Sequence, residues 1–190
     1  MKKRLLALLL VLTMVFSLMP AALAADTVDV AALPEYAADA DISTGTAYKI
    51  STEESLRAFA AAVKADDGNG TYAHAGVTLY LAGDIALTGT WTPVGNAALY
   101  PGDFFAGTFD GCGHTISGLN VQGQGLFAAI NQATIRNLNV SGTVSSTVNY
   151  VGGIVGKVQA GTIENCSFSG SVSSSKSKAY VGGIAGGLYS

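Results

Sequence analysis

Internal repetition restricts this chain more than any other feature. Residues 125–144, GLFAAINQATIRNLNVSGTV, align without gaps on residues 153–172, GIVGKVQAGTIENCSFSGSV, an offset of 28. YVGGIVG at 150–156 returns as YVGGIAG at 180–186, an offset of 30, and TISGLNV at 115–121 echoes TIRNLNV at 134–140. A period of this length marks stacked supersecondary units rather than a single globular core. Within each unit apolar residues alternate with Ser, Thr, Asn and Gly. That period of two carries no helical stripe and reads as short strands broken by turns.

A unit so thin cannot bury its own apolar face. Stacking one unit on the next sets like residue on like and closes a shared interior, each buried Ile or Val contributing about 1.5–3 kcal/mol. The expected columns are Ile116, Ile135 and Ile163; Leu119, Leu138 and Cys166; Val121, Val140 and Phe168; and Val144 with Val172. Backbone bonds then run from coil to coil, which predicts an all-β fold, a right-handed parallel β-helix (solenoid). Asn137 and Asn165 fall at equivalent turn positions, where their amides either hydrogen-bond along the axis or face water.

A helix precedes the repeats. Ser51 and Glu54 have capping-box spacing, Leu56, Phe59, Ala60 and Val63 form one apolar stripe, and Gly68, Asn69 and Gly70 end it. A stack of coils exposes an apolar end and unpaired strand edges. The helix, about residues 52–64, therefore reads as a short N-terminal capping α-helix with Leu56, Phe59 and Val63 facing the first coil. The β-helix domain is expected over 47–190, with the clear repeats over about 105–190. Its carboxyl end has no comparable cap and reads as an array cut mid-repeat.

The first residues have the layout of a secretory signal peptide: Lys2, Lys3 and Arg4, an apolar run from Leu5 to Met19, then Pro20 and small residues to Ala25. Residues 1–24 are expected to be that signal, cut after Ala24 or Ala25, and 25–46, rich in Ala and Asp and without a sustained period, a flexible linker. The apolar run is short of the roughly 20 residues a spanning helix needs, so no membrane insertion is expected after cleavage. No cysteine stands near the cut to receive a lipid. After cleavage seven basic residues face thirteen acidic ones, a net charge of −6 with the bases scattered. That balance argues against nucleic acid and anionic lipid as partners.

The residues that could carry chemistry fail on spacing. Cys112 and Cys166 are the only cysteines, and export invites a disulfide, but Cys166 in a core column reads as a small buried hydrophobe. Asp110, Cys112 and His114 suggest a metal or Cys-His site, yet Cys112 and His114 merely flank one glycine in a turn, and His74 belongs to another loop. After Asp110 the only acidic residue is Glu164, so the array lacks the two carboxylates glycoside hydrolysis requires. Gly152-Gly153 and Gly182-Gly183 precede strands, whereas a phosphate cradle opens a helix. Tyr150 and Tyr180 form either a glycan-binding ladder or buttresses for neighbouring turns. No catalytic, cofactor-binding or metal-ligating residue is assigned, and no cofactor.

The repeats GLFAAI…TIRNLNVSGTV and VGGIVGKVQAGTIENCSFSGSV resemble the GLUG motif of large Gram-positive surface proteins and of the amino-terminal region of immunoglobulin A metallopeptidases. YKISTEESLRAFAAAV…LAGDIALTG and FAGTFDGCGHTISGL resemble the lead-in such proteins carry, so the likeness covers about 47–190, with Cys112 standing where the pattern has Asn. It implies a non-catalytic extracellular β-helix of a bacterial surface protein, used for adhesion, display or as a stalk. Host or cell-wall glycans or proteins would be its partners. The peptidase members keep their zinc motif, His-Glu-x-x-His, in a separate domain, and that motif is absent here. No enzyme is expected within these residues. The alternative is the N-terminal non-catalytic segment of a larger exported peptidase or carbohydrate-active enzyme.

Overall fold

The computed structural model describes residues 28–42, 45–65, 74–96 and 104–188; the expected signal peptide and its cleavage site lie outside the described residues. Parallel strands stack into a β-solenoid of about four turns with one short helix near the N-terminus. One sheet holds, in spatial order, β1 (Ala47–Ile50), β2 (Thr78–Leu81), β4 (Thr108–Asp110), β7 (Ala133–Arg136) and β11 (Gly161–Glu164). A second holds β3 (Ile85–Ala86), β5 (Thr115–Val121), β8 (Asn139–Ser146) and β12 (Ser167–Ser174). The third holds β6 (Phe127–Ile130), β10 (Val155–Val158) and β14 (Ala185–Leu188), and a small fourth pairs β9 (Tyr150–Gly152) with β13 (Tyr180–Gly182). Each pairing is parallel because each strand meets its counterpart one coil later.

The register shows which columns form. Ile135 lies on Ile163, Val140 on Phe168, Val144 on Val172 and Tyr150 on Tyr180, as the two long repeats predict. The short echo misleads. Ile116 stacks between Ile85 and Val140 rather than under Ile135, whose neighbour is Phe109, and Val121 lies beside Val144 rather than Val140. The expected place of Leu119 beside Leu138 fails likewise, since Leu119 pairs with Gly142. The reason is corner length. TIRNLNV bends round the corner at 137–138 between β7 and β8, whereas TISGLNV lies wholly within β5, after a longer corner at 111–114.

Close approach of coils explains two glycines. Gly142 and Gly170 share a column at φ 153° and 143°. A Cβ on Gly142 would run into the Leu119 carbonyl, and one on Gly170 into the carbonyl of Gly142. Only glycine fits such positions at no steric cost.

The helix α1 (Glu53–Ala65) lies between β1 and β2 in the chain, and its Leu56, Phe59, Ala60 and Val63 are buried. Phe59 packs its ring against Phe105, Phe109 and Phe127 at centroid distances of 5.3, 6.0 and 6.4 Å. The capping box sits one residue later than its expected place. Thr52 Oγ1 accepts from the Ser55 amide at 3.1 Å, and Ser55 Oγ accepts from the Thr52 amide at 3.2 Å. Ser51 is taken by Glu35, whose carboxylate accepts from its amide and its hydroxyl. Glu53 in turn accepts from the Thr88 amide at 2.9 Å, while Arg57 donates to the Thr88 carbonyl and lies over the Trp91 ring. These contacts fasten the helix to the first full coil.

The stretch expected to be a linker differs from that expectation where it is described. Pro34 and Tyr36 exchange backbone bonds with Lys49, adding a parallel bridge outside β1. Tyr36 is buried against Phe59 and Tyr48. A large aromatic inserted into the core and the neighbouring Glu35 carboxylate hold this segment, and so few anchoring side chains leave no period in the sequence.

Candidate binding surface

Three places on the described surface gather polar or aromatic side chains. The first is the corner after β4. Asp110 accepts from Arg136 Nε at 2.7 Å, from Asn137 Nδ2 at 3.0 Å and from the Cys112 amide at 2.9 Å. Burial works to raise the Asp110 pKa, but these hydrogen bonds and the guanidinium outweigh it and hold the carboxyl below its ordinary value. Asn165 Nδ2 then donates to Asn137 Oδ1 at 3.3 Å, so the stacked amides form a ladder along the axis. This corner satisfies itself and ties three coils together.

Cys112 and His114 border a cavity of about 340 Å³ with Lys49 and Ser51, but they do not act on one another. His114 faces Asp84, with Nδ1 3.4 Å from its carboxylate, and Cys112 Sγ is directed at the Asp110 carbonyl. His74 is elsewhere, buried with its Nε2 2.7 Å from the Tyr36 hydroxyl. Among the described residues no three His, Cys, Asp or Glu side chains converge as metal ligands. Cys112 and Cys166 are separate thiols, and burial pushes both their pKa values up, away from the thiolate a nucleophile requires.

The second place is the aromatic pair. Tyr150 and Tyr180 stack with centroids 5.4 Å apart and planes within 8° of parallel. Each ring covers the other, leaving no gap for a sugar between them. The stacked rings link their two coils, and Tyr180 remains 60% exposed. Of the two glycine pairs, Gly152 and Gly153 donate to the carbonyls of Gln124 and Gly183, and β10 rather than a helix follows. They are coil-to-coil joints.

The third place was invisible residue by residue and emerges only from the register. The strands β5, β8 and β12, TISGLNV, NVSGTVSS and SFSGSVSS, contain no charged residue. Their apolar positions point inward, and the alternate positions stack outward: Thr115 on Asn139 on Ser167, then Ser141 on Ser169. Further along come Asn120 on Thr143 on Ser171, and Ser145 on Ser173. Ser167 Oγ donates to Asn139 Oδ1 at 2.6 Å, and Ser171 Oγ lies 3.5 Å from Thr143 Oγ1. At the far edge the lattice dips into a groove of about 400 Å³ lined by Gln122, the serines 145, 146 and 173–175, and Thr147. The groove wall is fixed from within, since Ser146 Oγ accepts from the Val148 amide and Ser174 Oγ donates to the Val148 carbonyl.

The family model of the GLUG motif matches residues 147–173. That stretch runs from the corner before β9 to near the end of β12, one complete coil, and it includes part of the groove wall. No curated protein and no solved structure matches the chain.

Proposed function

We propose that this chain is a non-catalytic extracellular module of a bacterial surface protein, serving as stalk, display platform or adhesive surface. The observation that carries the reading is the coil-on-coil register, in which polar side chains are spent on ladders between coils rather than gathered in a reactive cleft. Such a stack is rigid, and its broad lateral faces suit presentation and contact more than turnover. The signal-like leader supports export, and the GLUG match over one coil fits a repeat module.

The test is to express the complete chain in a Gram-positive host and follow its fate. A culture-supernatant or cell-wall product beginning at Ala25 or Asp26 is expected, bound to host-matrix or cell-wall material in a pull-down. Uncleaved protein confined to the cytoplasm would overturn the reading.

A further inference from the structure

We infer that the outward face of β5, β8 and β12 binds a neutral polysaccharide, with the groove beside Gln122 as its deepest subsite. The inference deepens the proposed adhesive role and rests on it for its biological setting, though not for its chemistry.

The face selects its ligand by what it lacks. A polyanion needs Lys or Arg, and these three strands carry neither. Charge lies only at the margins, with Asp84 and His114 at one border and, at the other, Lys176, whose amide donates to Ser174 of the groove, and Lys178. A protein partner is ordinarily anchored by Trp, Tyr, Arg or large apolar side chains. Among the described residues the exposed large apolar side chains are Val28, Ile42, Tyr180, Val181 and Leu188, and none belongs to this face. What remains is a lattice of hydroxyls and amides, groups that both donate and accept.

Spacing adds to the case. Successive coils lie about 4.8 Å apart, and outward residues alternate along each strand, so the hydroxyls form a two-dimensional grid. A polymer of linked sugars also repeats its hydroxyls at regular intervals, and it engages such a grid at many points at once. Each contact is weak, but linkage converts every later contact into an intramolecular one. The rungs are preorganised, since Ser167 is already hydrogen-bonded to Asn139 and the groove wall is bonded to Val148. Within the groove, exposed Gln122, Ser145, Thr147 and Ser173 surround a volume of the size of small-ligand sites.

The experiment measures retention of the mature chain, residues 26–190, on insoluble chitin and cellulose and its mobility in gels containing dextran or a soluble β-glucan. Heparin and polygalacturonate are the charged comparisons. Retention by at least one neutral polymer and by neither polyanion is expected. The triple variant Gln122→Ala, Thr147→Ala, Ser173→Ala should keep its melting temperature and lose at least tenfold in affinity. A second variant, Ser145→Glu, should lose binding while remaining folded. Retention by no neutral polymer, equal retention by the polyanions, or a triple variant that binds like its parent each overturns the inference. Export and leader cleavage are scored separately. A protein that is exported and binds matrix protein but no glycan sinks this inference alone, whereas failed export sinks the wider reading and leaves the glycan measurement to stand by itself.

Discussion

Asn165 hands its side-chain amide to the Oδ1 of Asn137, one coil away, and Asn137 hands its own to Asp110. Both asparagines adopt left-handed backbone conformations, at φ 51° and 53°. Asparagine tolerates that region better than other non-glycine residues, and its amide is short enough to reach along the axis. The same residue type therefore serves the corner twice, in backbone shape and in bonding. Asn137→Ala should lose two hydrogen bonds of about 1 kcal/mol each and add left-handed strain of about 1 kcal/mol, some 3 kcal/mol in urea unfolding. Asn137→Gly should recover the strain and remain about 2 kcal/mol below the parent. Equal losses for the two variants would show that backbone conformation plays no part.

Cys112 occupies the corresponding corner one coil earlier, at φ 52°, and there the residue does not suit the backbone. A β-carbon in the left-handed region costs about 1 kcal/mol that Asn largely avoids. The Cys112 amide bond to Asp110 uses the main chain and survives substitution. Cys112→Asn should therefore stabilise by about 1 kcal/mol and raise the melting temperature by about 2–4 °C. A lower melting temperature would place the thiol among the stabilising contacts.

Stacking was legible wherever two segments share both strand and corner length. Ile135 with Ile163 and Val144 with Val172 follow directly from an ungapped offset. Ile116 was misplaced because period-two alternation looks the same in any strand; only the corner at 111–114 tells β5 from the β7–β8 junction. Tyr36 was missed for the opposite reason, since one anchoring aromatic in an Ala-rich run generates no pattern. The uncharged face lay open in the composition of each strand, but a serine such as Ser169 means little until the register sets it on Ser141. Chemistry at a distance of one coil is visible only once the coils are aligned.

Phe59 closes the N-terminal end of the interior, touching Tyr36, His74 and three phenylalanines drawn from two successive coils, Phe105 from one and Phe109 and Phe127 from the next. Truncation leaves a cavity that rigid strands cannot collapse into. Phe59→Ala should cost about 3–5 kcal/mol, and Phe59→Leu distinctly less because it refills most of the volume. Phe59→Asp should yield aggregated material, since a carboxylate there opens the apolar end. Soluble Phe59→Asp protein with the parent's melting temperature would remove the helix from its capping role.

His74 makes the same cluster sensitive to acid. Its ring is enclosed by Tyr36, Phe59 and Phe105, Nε2 meets the Tyr36 hydroxyl, and Nδ1 has no hydrogen-bond partner among the described residues. Burial drives its pKa from 6.5 down to about 4. The folded state thus binds fewer protons than the unfolded chain between those values. The stability contributed is whole above pH 6.5 and declines as pH falls towards 4, by about 3 kcal/mol in all at 1.36 kcal/mol per unit. Tyr36 has the opposite sense: burial, then the neighbouring Tyr48, push its pKa up to about 12, so its contribution is whole below pH 10 and is lost between 10 and 12. Urea unfolding at pH 7.0 and 4.5 measures the acid limb directly. The parent should lose 2–3 kcal/mol across that interval. His74→Asn, which tolerates the left-handed φ of 65°, should be weaker at pH 7 but nearly flat below it. An acid limb of equal depth in both proteins would show that His74 is not its source; the Asp110 carboxyl, held below its ordinary value, loses its contribution only at still lower pH.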